Sequence, residues 1–303
     1  MSGVLFIVSS TRSGSTLLER LLNELPGVVS AGELKRIWRR GFTDNQLCSC
    51  GQPFHDCPFW QEVVQRAFAD ATVDARANDA LCRRVCRGGV HAGNVPAALR
   101  GTFLGLSGKL CAAIVGTARA GWVVDSSKDP AYAAQLAQLP GFETRYLHLV
   151  RDARAVAHSK SRLRRRPEIH WKEAYMRRRS AWASAGSWNQ TQRLAEAARL
   201  ATGRPWLRVR YEDLAGSPRG VVQQIWDWLA PAIPDATSDP LGFIDENTVR
   251  VGSGHSVAGN PMRFGSGQLM VTPDVGWHQQ MPVLSRAAVG LRCYRGLRRY
   301  GYL

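Results

Sequence analysis

Residues 10–16 read Ser10-Thr11-Arg12-Ser13-Gly14-Ser15-Thr16, a run of small hydroxylated residues around one arginine and one glycine. The apolar stretch Val4-Leu5-Phe6-Ile7-Val8 precedes it, and Leu18, Leu21, Leu22 and Leu25 follow at helical spacing until Pro26-Gly27. A buried strand, a tight loop and a helix start in that order aim backbone N–H groups and the positive end of the helix at one point, where phosphate or sulfate docks. A Walker A loop would carry Lys beside its last Gly, but here Gly14 is followed by Ser15. The fixed charge is instead Arg12, whose planar guanidinium can hold two oxygens of an oxyanion through parallel hydrogen bonds. Arg12, Ser13, Gly14, Ser15 and Thr16 therefore form a first candidate anion site.

A second lies in His148-Leu149-Val150-Arg151-Asp152, where a strand gives way to a helix, with Arg151 at the strand end and Ser159 about two turns along. Together the two segments resemble the sulfotransferases that use 3′-phosphoadenosine 5′-phosphosulfate (PAPS). The first is similar to their 5′-phosphosulfate loop in its Arg-Ser-Gly-[Ser/Thr]-Thr form, closer to the carbohydrate and tyrosylprotein members than to the cytosolic animal enzymes. The second is similar to their 3′-phosphate motif, an Arg with a Ser eight residues later. Arg210-Tyr211-Glu212-Asp213-Leu214 resembles the segment whose Tyr lies near the adenine. Residues 254–264 resemble a late loop of bacterial members, which implies nucleotide contacts from Gly259, Asn260 and Arg263, the last capping the 3′-phosphate.

The resemblance implies PAPS as co-substrate and in-line transfer of its sulfuryl group to an acceptor hydroxyl. Such a reaction needs cations at the bridging and equatorial oxygens and a base for the hydroxyl. Arg12 is expected to stabilise the leaving phosphate, and Lys128, in Ser127-Lys128-Asp129-Pro130, to bind the moving group. Glu33, in Ala31-Gly32-Glu33-Leu34, stands where carbohydrate and tyrosylprotein members carry a carboxylate, and is the expected general base. Burial would have to raise its pKa for that work at neutral pH, while a nearby Arg12 would oppose the rise. His158 and His255 are the runner-up acid/base groups. No metal is required by this chemistry. Cys48, Cys50 and Cys57 with His55 offer zinc ligands, but not at the spacing of a paired CxxC site, so a local disulfide or free thiols are expected.

The elements that must position these groups alternate. Short buried strands are expected at residues 4–9, 28–31, 122–125, 144–150 and 206–209, with helices after 15, through 132–139 and through 221–229. That pattern predicts an α/β fold of P-loop-like, three-layer type: a central parallel sheet flanked by helices, its ligand at the carboxyl ends of the strands. A further helical stretch opens at Gly32-Glu33-Leu34, and residues 34–121 are expected to form a helical cap or insertion within a single domain spanning 1–303.

With 45% hydrophobic residues among 303, the chain can bury a full core, and disorder is excluded. Forty Lys+Arg against 24 Asp+Glu, a net +16, favours a polyanionic partner. The densest charge run, residues 160–179, reads as a solvated helical surface able to touch an anionic surface. No transmembrane segment or signal core is evident near the N-terminus, and the seven cysteines do not form an even, dense framework, so a cytoplasmic protein with mostly reduced thiols is expected. A nucleotide kinase and a basic nucleic-acid or membrane-surface binder are the competing readings. The first lacks its loop lysine, and no groove-reading motif for specific nucleic acid is present. The acceptor, a small-molecule, carbohydrate or peptide hydroxyl, has no motif.

Overall fold

The computed structural model describes residues 2–69, 72–232 and 239–303. At its centre β1 (Ser2–Ser9) belongs to a five-stranded sheet in the order β2 (Val28–Gly32), β3 (Trp122–Lys128), β1, β4 (Phe142–Val150), β5 (Trp206–Arg210), every neighbouring pair parallel. Both faces of β1 are covered, which is why its sequence is a continuous apolar run. Leu5 and Ile7 pack with α1 (Ser15–Asn23), and on that face lie Val222, Ile225 and Leu229. Val4, Phe6 and Val8 face the opposite layer.

That opposite layer contains the segment expected as a cap. It is the crossover from β2 to β3: α2 (Pro58–Phe68), α3 (Ala75–Arg87) and α4 (Ala97–Ala118) send Trp60, Val85, Leu104 and Ile114 into the same cluster as Phe6 and Val8. It packs as a flank of the sheet. Among the described residues α4 is the one helix long and apolar enough to cross a membrane, and its Phe103, Leu104, Leu110 and Ile114 are buried within the protein.

Two local expectations change. A regular helix does not open at Leu34: the chain makes a 3-10 turn, Leu34–Arg36, then a π-helical stretch, Ile37–Thr43. The first free N–H groups explain it, because Leu34 N donates to Asp125 at 3.3 Å and Lys35 N to Ser127 Oγ at 2.9 Å, pinning the turn to the end of β3. Nor do residues 160–179 form a helical surface. After α5 (Pro130–Gln135), β4 and α6 (Ala153–Ser161), the chain leaves the helix and doubles back, Arg165 bridging Tyr175 and Met176 N donating to Arg164 O at 2.8 Å. Three successive arginines followed by Pro167 account for the break, since like charges repel and proline removes a helical donor.

The long helix α7 (Ala181–Thr202) leads into β5, and α8 (Tyr211–Gly216) and α9 (Pro218–Leu229) follow it. A small antiparallel sheet of β6 (Ile244–Asp245), β7 (Thr248–Val251) and β8 (Gly267–Met270) then carries a loop, residues 252–266, back over the first helix. Val257 N donates to Ala31 O and Asn260 N to Thr16 Oγ1, both at 3.1 Å. Finally α10 (Trp277–Gln280), α11 (Val283–Arg292) and α12 (Tyr294–Arg299) complete the chain, with Val289 and Leu297 packed against Trp188 of α7.

Candidate active site

Strand register decides where the site opens. Val8 of β1 pairs with Lys128 on one side and with His148 on the other, so the loops after β1, β3 and β4 emerge at one sheet edge. In open α/β sheets that edge is the ligand crevice. Here it holds a cleft of about 610 Å3 whose wall includes Arg12, Gly14, Ser15, Thr16, Glu33, Lys128, Arg151, Ser159, Tyr211, Gly259 and Asn260.

The two candidate anion loops touch. Arg12 Nε donates to Ser159 Oγ at 3.1 Å, and Arg151 Nη1 donates to the Arg12 carbonyl at 3.1 Å. Arg12 and Lys128 both hold positive φ, 73° and 69°, a conformation non-glycine residues rarely adopt and one that collects at ligand sites. Gly14, at φ 90°, has no such penalty and is also required by space: a Cβ there would stand 2.3 Å from the Tyr211 ring. On the cleft side the Arg151 guanidinium lies 4.2 Å from the centre of the same ring. Tyr211, the first residue of α8, thus wedges between the two loops. Its neighbour Glu212 accepts from Asp152 N and from the Tyr302 hydroxyl, and braces the loop from behind.

Glu33 and Lys128 pair directly, Nζ to Oε1 at 2.7 Å. Burial pushes the Glu33 carboxyl up, but the charges of Lys128 and Arg40 outweigh it and hold the group at about 2. The counter-charge is Lys128, where the sequence suggested Arg12, and the expected upward shift is reversed in the resting site. Burial, with Arg164 and Arg151 nearby, brings the Arg12 guanidinium down to about 10, still cationic at neutral pH.

Two expected residues are elsewhere. Ser13 is buried, its hydroxyl 3.1 Å from that of Ser10, and shapes the loop from beneath. Arg263 is 2% exposed and does not line the cleft; it donates to the Leu47 and Ser256 carbonyls behind the cleft wall. Neither His158 nor His255 lines the cleft.

Sequence reading missed much of the cationic wall. Arg36 and Arg40 come from the turns after β2, and Arg164, Arg166 and Arg177 from the doubled-back excursion. The charge run was visible, but its inward placement was not. Asp274 was missed entirely; it pairs with Arg151 at 2.7 Å. Among the described residues eight cations face three carboxylates in the cleft, and buried Arg151 Nε and Arg164 Nε have no partner. A polyanion fits that wall.

The sequence model of the sulfotransferase family matches residues 5–235. The chain belongs to the sulfotransferase family. In structure this sulfotransferase is similar to the solved sulfotransferase domain from the curacin biosynthetic pathway, with a TM-score of 0.52 over 97% of each chain. At 18% identity that likeness is one of fold. No curated protein matches its sequence. Family and fold together support a sulfotransfer reaction.

Proposed function

We propose that PAPS is the donor and that its sulfuryl group passes to an acceptor hydroxyl in the cleft. The observation that carries this reading is the contact between Arg12 and the Arg151–Ser159 pair, because two anion sites that touch can grip both phosphate-bearing ends of one nucleotide. PAPS supplies an activated sulfuryl group and several negative charges, which the cationic wall would neutralise.

In this reading Arg151 and Ser159 take the 3′-phosphate, while Arg12 and the backbone N–H groups at the start of α1 take the 5′-phosphate. Tyr211 flanks the base, with Gly259 and Asn260 closing the cleft from the late loop. Arg12 stabilises the charge that develops on the leaving phosphate as its bond to sulfur breaks. Lys128 binds the sulfuryl oxygens. Glu33 receives the acceptor's proton as the new oxygen–sulfur bond forms. Its resting state is ionised yet weakly basic; movement of the Lys128 ammonium toward the sulfuryl oxygens removes its main counter-charge and raises its basicity when a base is needed.

Arg36, Arg40 and Arg177 are not used by the donor in this scheme and favour an acceptor with an anionic group near its hydroxyl, be it a small molecule, a carbohydrate or a peptide. Seven cysteines, none of them in a disulfide, suit a reducing compartment, and we place the enzyme in the cytoplasm.

The test is calorimetric titration with adenosine 3′,5′-bisphosphate, followed by label transfer from radiosulfur-labelled PAPS in parallel with γ-labelled ATP. Tight bisphosphate binding and sulfur transfer are expected. Phosphoryl transfer from ATP with no affinity for the bisphosphate would replace this reading with a kinase.

A further inference from the structure

The structure assigns a second centre, away from the cleft: Cys48, Cys50, Cys57 and His255 form a structural zinc site. It stands independently of the sulfotransfer reading. One ligand atom from each of the four lies within 4.8 Å of every other. Cys50 and Cys57 sulfurs are 3.6 Å apart, and His255 Nδ1 is 3.4 Å from Cys57 Sγ and 3.8 Å from Cys48 Sγ. A tetrahedron with zinc–sulfur bonds of about 2.3 Å and zinc–nitrogen bonds of about 2.0 Å has edges of about 3.5–3.8 Å. These separations match it. A disulfide does not, since its sulfurs would be about 2.05 Å apart and any single bridge would strand the third thiol.

The sequence pointed to a local disulfide or free thiols, with His55 as the one histidine near the cysteines; the histidine in the cluster is His255, and His55 turns away to the Phe42 carbonyl at 3.1 Å. The sequence could not show this, because 198 residues separate Cys57 from its partner. Three features hold the imidazole in place. Its ring stacks on Phe59 at 4.6 Å and 9°, Trp60 Nε1 donates to its carbonyl at 2.9 Å, and Ser49 and Ser256 exchange hydrogen bonds beside it. Such outer contacts orient metal ligands. On the cysteine side, Gly51 at φ 91° closes a tight turn in which Cys48 N donates to Gln52 O. Cys48 and Cys57 are buried, and four protein ligands leave no open position, the pattern of a structural rather than a catalytic zinc. On binding, the thiol protons leave to solvent and the thiolates bond the metal.

The centre joins the β2–β3 crossover to the loop that carries Gly259 and Asn260 into the cleft. Zinc would therefore fix one wall of the donor site from outside it.

The test begins with metal analysis of the full chain purified under reducing conditions with zinc in the growth medium and no chelator. About one zinc per chain is expected. Replacing zinc with cobalt(II) should give thiolate charge-transfer bands and the intense visible absorption of a tetrahedral ion. Cys57→Ser and His255→Gln should lose most of the metal, while His55→Gln and the Cys82→Ser/Cys86→Ser pair should retain it. Because the cobalt spectrum is read on the unsubstituted chain, a variant that fails to fold does not blunt the test. A folded chain that holds no zinc and gives no tetrahedral cobalt spectrum would overturn the assignment, as would a Cys50–Cys57 disulfide in protein isolated with its thiols trapped.

Discussion

Lys128 Nζ donates to Glu33 Oε1 at 2.7 Å, joining the ends of neighbouring strands β3 and β2 inside the cationic cleft. The two residues reach each other because Lys128 adopts φ 69° at the end of β3, where Asp125 is in register with Gly32. In the proposed reaction this pair is the part that changes partners, and it makes the roles of both residues measurable.

Glu33→Gln keeps the shape of the side chain and removes its charge. We expect turnover with labelled PAPS to fall about 10²- to 10⁴-fold, the usual contribution of a positioned general base, with affinity for adenosine 3′,5′-bisphosphate nearly unchanged. Undiminished turnover would remove Glu33 from the mechanism. Lys128→Ala should lower turnover too, and should move the acid limb of the rate profile upward, since Glu33 then loses the charge that holds it at about 2.

Arg151 and Asp274 should act in opposite directions. Arg151→Ala is expected to weaken bisphosphate binding about 10- to 100-fold, the scale of one or two charge-assisted hydrogen bonds. Asp274→Asn frees the same guanidinium from a part-exposed carboxylate at 2.7 Å and should tighten binding about two- to fivefold. Calorimetry reads both. Equal affinities in the two variants would place the 3′-phosphate elsewhere.

Gly14→Ala meets the Tyr211 ring and forces alanine into φ 90°. Loss of bisphosphate binding and a stability loss of about 1–3 kcal/mol are expected. Adding Tyr211→Ala relieves the clash but not the backbone strain, so the double variant should regain only part of the stability, as read by chemical denaturation.

Glu19, fully buried in α1, accepts hydrogen bonds from Ser126 and Ser256, and burial raises its carboxyl to about 7 despite them. Between an unfolded value near 4.5 and that folded value the native state holds a proton the unfolded chain has released, so stability falls as pH climbs through this window. The loss amounts to at most about 3 kcal/mol above pH 7. Glu19→Gln should flatten this slope; denaturation midpoints at pH 5 and pH 8 give the comparison, and an unchanged slope would show the carboxyl ionised in the folded protein.

The sequence by itself determined the sheet and where the two candidate anion loops leave it. Strand runs such as Val4-Leu5-Phe6-Ile7-Val8 must be buried on both faces, and the residues that follow Ser9 and Val150 are then bound to leave the sheet at its ligand edge. These are local consequences of periodicity and of where small residues interrupt it. What the tertiary structure decided is which distant side chains share a space. It turned the arginines of residues 164–177 inward, took Arg263 out of the cleft, gave Glu33 a lysine for a neighbour, and set His255 against three cysteines in place of His55. None of these follows from spacing along the chain, because charge and ligand geometry depend on distances through space that only the packed crossovers fix.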